Sequence, residues 1–434
     1  MQRFKILAGT LLIIVSLLLL VISVNNHISI SGSKNVSSTK KSTQPLHSQN
    51  EVQLYRLQQQ ELKHAIKAYF DKAIAAGEIV GAGISIVRGD SILISDGYGK
   101  RKIDLLDKVD RYTLFRLGSL SKGFVGILAA DLKDEGKLSW ESKLIDYFPE
   151  FQLGDRKNTN RITLANILSH TSGAPYHTYT NLVEAGLPLR DIAKHFKDVE
   201  PISSPGSLYS YQNALFAFSE EIIKEATCQD ITTTLENRFF NPLQMCSTTM
   251  DYKTLLASEN VAIPHSKRKN RWMPKRLTNS YDNAIAAGGI NASTADMARW
   301  MRFLLGKNPE IMSKAALKEA FNPFVEIKGH NKYYHRWPGH LSSHYGFGWR
   351  VHKFVEGITN QEKTIWHHGG SVNDFRNEIA IYPEADLGIC VLLNNNSKLA
   401  KTVVPDVYLI IKGIYDRNAA KASLNSPPST IANY

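Results

Sequence analysis

The sequence predicts an α/β (α+β) fold: one mostly antiparallel sheet of early and late strands, flanked by helices, with a large and mainly helical lobe inserted between the two sets of strands. Three observations predict it. Two short strand signals stand early, Gly83-Ile84-Ser85-Ile86-Val87 and Ser91-Ile92-Leu93-Ile94-Ser95. Residues 125 to roughly 310 then carry a mostly helical pattern broken by Pro and Gly loops. Strand signals return late, at Tyr345–Val351, Thr364–His368, Glu378–Tyr382 and Leu387–Leu393. In such an arrangement ligands bind where the lobe meets the sheet edge.

Each element has its own warrant. Val52 to Ala76 reads as a helix, with apolar residues at Leu54, Leu57, Leu62, Ile66, Tyr69, Phe70 and Ile74, and Gly77 ends it. Arg88-Gly89-Asp90 joins the first two strands as a short hairpin. Val125 to Leu132 is an apolar helix segment. Leu387 to Leu393 is an unbroken apolar run, with Cys390 inside it as a small core residue. Val403 to Tyr415 reads as a closing helix.

The 434 residues suffice for one large or two ordinary domains, and 43% hydrophobic with 21% charged residues is ordinary for a globular chain. The N-terminus stands outside that core. After a short basic start (1–5), residues 6–24 form an almost unbroken apolar run, long enough to span a bilayer. It ends Val21-Ile22-Ser23-Val24-Asn25, a poor cleavage site. The reading is an uncleaved membrane anchor, with the body exported to the periplasmic or extracellular face; a cleaved signal and a soluble body is the alternative. Residues 25–50, rich in Ser, Asn, Lys and Gln, read as a flexible polar linker. Residues 51–418 are the folded body and 419–434 a loose tail.

The net charge is +12, with a local basic run of Lys267, Arg268, Lys269, Arg271, Lys275 and Arg276. This run sits on no nucleic-acid-binding motif and has no interleaved aromatic pattern, so no nucleic-acid partner is expected. It reads as a solvated loop, with attraction to an anionic membrane or polymer as the alternative. Cys228, Cys246 and Cys390 lack metal-ligand spacing; only a Cys228–Cys246 bridge stays open.

Three motifs carry chemistry. The first is Phe115-Arg116-Leu117-Gly118-Ser119-Leu120-Ser121-Lys122, just before the apolar helix. Ser119 and Lys122, three apart, share one side of the first turn. A serine hydroxyl attacks only when something nearby takes its proton or favours its anion, and a buried lysine with a helix N-terminus does this. Ser31–Lys34, Ser37–Lys40, Ser38–Lys41 and Ser266–Lys269 share the spacing but lie in the linker or the basic loop. The second motif is Tyr211-Gln212-Asn213, after the Pro205-Gly206 turn. A tyrosine acts as base only if cations bring its pKa well below about 10, and Lys122 is the candidate cation. Tyr179–Asn181 and Tyr281–Asn283 are chance competitors. The third is Trp366-His367-His368-Gly369-Gly370-Ser371, ending a late strand signal. Strand alternation groups His368 with Gly370 and His367 with Gly369. Gly370 suits close approach of a substrate backbone. The N–H groups of Ser119 and Ser371 would form a two-donor oxyanion hole.

Together, Ser119-x-x-Lys122, Tyr211-x-Asn213 and His368-x-Gly370 resemble, in order and context, the serine β-lactamase and penicillin-binding superfamily, on its class C and DD-carboxypeptidase branch. The resemblance covers residues 60 to 415 and includes Asn166–Gly173, Pro242–Met245, Ala287–Ile290 and Tyr345–Trp349, read as turns and caps. Class C β-lactamases usually carry Lys-Thr-Gly at the third motif; His368-Gly369-Gly370 is similar to the peptidase, amidase and esterase branch. Relatives often have Pro-Gly-Phe where this chain has Asn373-Asp374-Phe375.

The resemblance implies a serine β-lactamase/DD-peptidase-like fold and an acyl-serine mechanism needing no cofactor or metal. Ser119 is the nucleophile and Tyr211 the base, with Lys122 keeping the potential positive. Asn213 binds the substrate amide and orients Lys122. His368 is a donor or partial charge toward a substrate carboxylate, so binding of such substrates should improve as pH falls toward 6. The implied substrate is a small cell-wall peptide amide or β-lactam. The alternatives are an esterase or D-amino-acid amidase with the same serine, and, less expected, a non-enzymatic membrane-tethered binding module. Arg376 is read as a solvated strand-end arginine, with a carboxylate-binding residue as the alternative.

Overall fold

The computed structural model describes residues 49–424 except 330 and 358–360, with side chains from 52 to 418. The expected anchor at 6–24, nearly all of the linker and the last ten residues lie outside this range. Among the described residues no helix is long and apolar enough to cross a membrane. The described residues from Gln53 onward form one compact unit.

In chain order the strands are β1 Gly81–Arg88, β2 Ser91–Gly99, β3 Phe115–Arg116, β4 His265–Arg268, β5 Arg271–Pro274 and β6 Asn291–Ala292. They continue with β7 Val325–Glu326, β8 His340–Tyr345, β9 Arg350–Val355, β10 Glu362–Val372, β11 Phe375–Tyr382 and β12 Leu387–Leu393. Eight form one sheet in the order β2-β1-β12-β11-β10-β9-β8-β7, antiparallel at every pair. The early hairpin therefore docks on the last strand: Ile84 pairs with Val391 and Ile86 with Ile389. Both faces are covered, which is why β1 and β12 read as nearly unbroken apolar runs. One face packs Ile84, Ile86, Ile389 and Val391 under the helices Gln49–Ala75 and Val403–Leu424. The other packs Ile379, Ile381, Cys390 and Leu392 against the lobe.

Several elements differ from expectation. The apolar alternation of Tyr345, Phe347 and Trp349 suggests a strand, yet 346–349 is the tight connection between β8 and β9. Gly348 takes φ +76°, and a Cβ there would lie 2.1 Å from the Lys122 carbonyl. Trp349 turns inward and donates to the Gly123 carbonyl at 3.0 Å. The turn thus packs against the helix Ser121–Asp134 in place of extending the sheet. β10 runs through the glycines to Val372 instead of ending before them. Asn373 and Asp374 both have positive φ, 47° and 64°, so they close a two-residue hairpin into β11. The closing helix runs to Leu424, into the stretch read as loose tail. The lobe is less regular than its pattern implies: most of its helices are short, and it holds the ribbons β3–β6 and β4–β5. Cys228 and Cys246 are free and exposed, so the open bridge is not formed.

Candidate active site

The chain reaches Ser119 through Gly118, at φ +57°, where a Cβ would meet the Ser371 backbone at 2.9 Å. Only glycine fits both constraints. Gly118–Leu120 is a single 3₁₀ turn that leads directly into the helix Ser121–Asp134. The loop is pinned from two sides. Asn377 of β11 donates to the carbonyls of Arg116 and Leu117 at 2.8 and 3.1 Å. Ile290 donates its N–H to Ser121 Oγ at 3.1 Å. Phe124, on the same helix, stacks on Trp300 with ring centroids 4.2 Å apart. Ser119 is thereby held half-exposed at the mouth of a fixed helix.

Lys122 is fully buried. Its Nζ donates to Asn213 Oδ1 at 2.7 Å and to the Ala287 carbonyl at 2.6 Å, and lies 3.5 Å from Ser119 Oγ. The Ala287 contribution has no sequence signal: 285–289 is a π-helical turn, a form that recurs at functional sites. Burial depresses the Lys122 pKa well below its usual range, and the nearby Arg350 guanidinium depresses it further. Asn213 thus stands where it orients Lys122.

Tyr211 lines the same cavity as Ser119, with Lys122 Nζ 5.0 Å from the centre of its ring. The expected lowering of its pKa is not what the geometry produces. Burial pushes the phenol up to about 12, and the leading cation opposing that is Arg350, not Lys122. The walls behind Tyr211 come from the segments read only as turns. The His170 ring lies 4.1 Å from it, centroid to centroid. Of the competitors, Tyr179 points away, its hydroxyl donating to the His195 carbonyl, while Tyr281 shares the cavity and pairs with Asn213. Ser266–Lys269 sits on the exposed β4–β5 hairpin.

Pairing of β9 with β10 ends at His367↔Arg350; from His368 to Val372 β10 keeps only β11 as its partner, and its other edge runs past the nucleophile loop. Gly369 and Ser371 there line a cavity of about 430 Å³ together with Ser119, Tyr211 and Asn213. The backbone of Ser371 abuts Gly118, which places its N–H region beside that of Ser119. Gly370 differs from expectation: a Cβ there would strike the Leu117 carbonyl at 2.1 Å, so its smallness serves the nucleophile loop and not a substrate.

His368 also differs. It is fully buried behind Tyr345, with Nε2 2.9 Å from the Tyr345 hydroxyl and Nδ1 2.8 Å from the Gly369 carbonyl. Tyr345 is in turn 3.2 Å from His170 Nε2, whose Nδ1 accepts the Gln212 N–H. This chain is satisfied with both rings neutral, and burial pushes both imidazoles well below their usual range. His368 therefore supports the Tyr211 wall and presents no charge to the cavity between pH 6 and 8.

The charge is supplied elsewhere. Arg350, the first residue of β9, lines the cavity among Tyr209, Tyr333, Tyr334 and Tyr345. Its Nε and Nη1 are shielded from solvent without a hydrogen-bond partner, and among the described residues no carboxylate pairs with it. A shielded cation without an anion is costly unless a ligand supplies one. The only sequence signal for it is its place just after the Tyr345–Trp349 segment. Arg376 also lines the cavity, paired with Glu378 at 3.0 Å, so it is not the solvated residue expected.

Beneath Gly369 runs a buried polar row across four strands. Glu378 Oε2 accepts from Tyr333 at 2.8 Å and lies 2.7 Å from His367 Nε2. His367 and His352 are 3.0 Å apart, His352 and Ser343 2.7 Å, and Ser343 and His340 2.8 Å. Burial lifts the Glu378 carboxyl to about 7, against the pull of Arg376, Tyr333 and Arg350. The unfolded carboxyl titrates near its ordinary 4.5, so the folded state holds the proton more tightly. The stability this lends is complete below about pH 4.5 and is lost as pH rises through about 7. Glu378→Gln should flatten urea midpoints measured from pH 4.5 to 8, removing a dependence on the order of 3 kcal/mol. An unchanged slope in the variant would place the titration elsewhere.

Comparison with known proteins fits this geometry. The Beta-lactamase family model matches residues 66–408. Protein flp of Staphylococcus aureus (strain MW2) is 25% identical over 342 residues, covering 78% of this chain and 64% of its own length. The unguisins hydrolase ungD' of Aspergillus campestris is 25% identical over 349 residues, covering 78% and 61%. The chain thus spans somewhat under two thirds of each of these relatives. The octameric penicillin-binding protein homologue from Pyrococcus abyssi superposes with a TM-score of 0.66 at 20% identity, covering 79% of this chain and 76% of its own.

Proposed function

The chain belongs to the Beta-lactamase family, within the serine β-lactamase and penicillin-binding superfamily, and we propose that it is an exported serine hydrolase that cleaves an amide, in a small cell-wall-type peptide or a β-lactam, whose leaving side carries a carboxylate. The observation that carries this is a lysine-activated serine in one cavity with Arg350, a shielded cation that no carboxylate pairs.

The steps follow from the positions. Lys122, depressed toward its neutral form, accepts the Ser119 proton as Oγ bonds to the substrate carbonyl carbon. The N–H groups of Ser119 and Ser371 receive the oxyanion, each donor worth roughly 3 kcal/mol in the transition state. Tyr211, kept protonated by burial, gives its hydroxyl proton to the leaving group, and the proton held by Lys122 replaces it. The leaving group therefore departs on the Tyr211–Arg350 side, where the guanidinium meets its carboxylate. Water then cleaves the acyl-serine and returns the proton to Oγ. The roles differ in one respect from those the resemblance implies: Lys122 is the acceptor and Tyr211 the relay. Support for export and membrane attachment is the apolar run 6–24, and N-terminal sequencing of the mature chain separates anchor from cleaved signal.

Arg350→Met tests the substrate side. The ratio of kcat/KM for a D-alanyl-D-alanine-type peptide to that for its C-terminal amide should fall about 10- to 100-fold, the loss of one charge-assisted hydrogen bond. It should show no pH dependence between 6 and 8, because Arg350 and not His368 holds the carboxylate. If the wild-type enzyme prefers uncharged aryl esters and Arg350→Met leaves the ratio alone, the esterase reading replaces this one.

A further inference from the structure

The cavity that holds Ser119 is lined by charges of both signs. Arg350 and Arg376 act on Tyr211, the group that serves the leaving side. Lys332 lines the same cavity. A line of hydrogen bonds leads from Lys122 to Asn213, whose Nδ2 donates to the Tyr281 hydroxyl at 3.1 Å, and that hydroxyl donates to Oε1 of the exposed Glu184 at 3.3 Å. Burial lifts the Tyr281 phenol far above its usual range, with the Glu184 charge adding to the effect, so Tyr281 keeps its proton and acts as donor. Glu184, the last residue of the short helix Thr180–Glu184, lines the cavity with Ser119. Among the described residues no lysine or arginine pairs with it.

An acyl substrate must straddle Ser119. Its departing half lies toward Tyr211 and Arg350, so its retained half extends past Asn213 toward Tyr281 and Glu184. Building on the serine hydrolase reading, we infer that the acyl half of the substrate bears a cationic amine, which Glu184 binds with Tyr281 holding the carboxylate in place. The substrate is then a short zwitterionic peptide, amine at the Glu184 end and carboxylate at the Arg350 end. A cavity of about 430 Å³ suits a molecule of that size. The amine has two chemical sources, the α-amino group of the acyl residue or a side-chain amine on it.

A substrate series separates them. D-alanyl-D-alanine carries the α-amine, and Nα-acetyl-D-lysyl-D-alanine carries only the side-chain amine. N-acetyl-D-alanyl-D-alanine and Nα-acetyl-D-norleucyl-D-alanine are their neutral counterparts, and the L,D series is run alongside. Each compound is assayed for turnover and for protection of Ser119 from a fluorophosphonate. One amine-bearing member should exceed its neutral counterpart at least about tenfold in kcat/KM or in protection, and which one does so names the source. In Glu184→Gln that ratio should collapse toward one, and Glu184→Asp should restore part of it. Equal behaviour of amine and neutral members in the wild type overturns the inference, as does a ratio that survives Glu184→Gln. Failure of the hydrolase reading itself looks different: the fluorophosphonate then does not label Ser119 at all.

Discussion

Ser119→Ala should take up neither a labelled penicillin nor a fluorophosphonate, while the wild-type chain takes up one equivalent at Ser119, located by peptide mapping after intact-mass measurement. The expected loss is complete, because no other hydroxyl among the described residues shares the arrangement. Ser119 Oγ lies 3.5 Å from a buried lysine amine at the start of a helix. Ser266, the only competing Ser-x-x-Lys serine among the described residues, lies on an exposed hairpin. Ser119 is half-exposed and packs nothing that alanine would lose, so thermal unfolding should be nearly unchanged. Label on another residue, or full labelling of the variant, would overturn the assignment. Labelling by the fluorophosphonate alone would keep the nucleophile and remove the penicillin-like substrate.

Lys122→Met should slow acylation by about a thousandfold or more, at the upper end of general acid–base effects. The acylation rate of the wild type should rise with pH as Lys122 loses its proton, and level off below the ordinary lysine range, because burial and Arg350 lower that pKa. The rising limb should vanish in Lys122→Met. The variant also leaves Asn213 Oδ1 and the Ala287 carbonyl without their donor, at a cost of roughly 1–3 kcal/mol each. Rates are therefore compared at temperatures where unfolding curves show both proteins native. Tyr211→Phe separates the two roles. As a relay to the leaving group it should cost about a hundredfold with peptide amides and far less with aryl esters, whose leaving groups need no proton. Equal losses on both substrate types would return Tyr211 to the role of base. Lys122→Met within tenfold of wild type would remove Lys122 from proton transfer.

The features legible in the sequence are local ones. Ser119 and Lys122 meet because a helical turn brings positions i and i+3 together whatever surrounds them. The hairpin at Arg88-Gly89-Asp90 and the apolar strand Leu387–Leu393 follow the same kind of short-range rule. Tyr211-x-Asn213 is legible because a Pro-Gly turn and a helix start bracket it. The strands β7 and β8 are not legible: His340-Leu341-Ser342-Ser343-His344-Tyr345 has no apolar alternation, and its inward positions hold a hydrogen-bonded polar row. The run Tyr345–Trp349 imitates a strand, and only its packing on the helix Ser121–Asp134 makes it a turn.

Tertiary structure alone decides the electrostatics. Lys122, Tyr211 and His368 can be named from sequence, but the direction in which each pKa moves is set by burial and by Arg350, a residue 139 positions after Tyr211 in the chain. Strand alternation allows His368 to face the substrate; the Tyr345 hydroxyl, itself held by the His170 ring, claims it instead. Arg350, Glu184 and Glu378 carry no motif, and each gains meaning only from the residues of other elements that the fold sets beside it. The nucleophile is a short-range fact of the sequence. The charge pattern that selects a substrate is a sum over elements brought together by the fold, and Coulomb interactions at those distances have no counterpart in residue spacing.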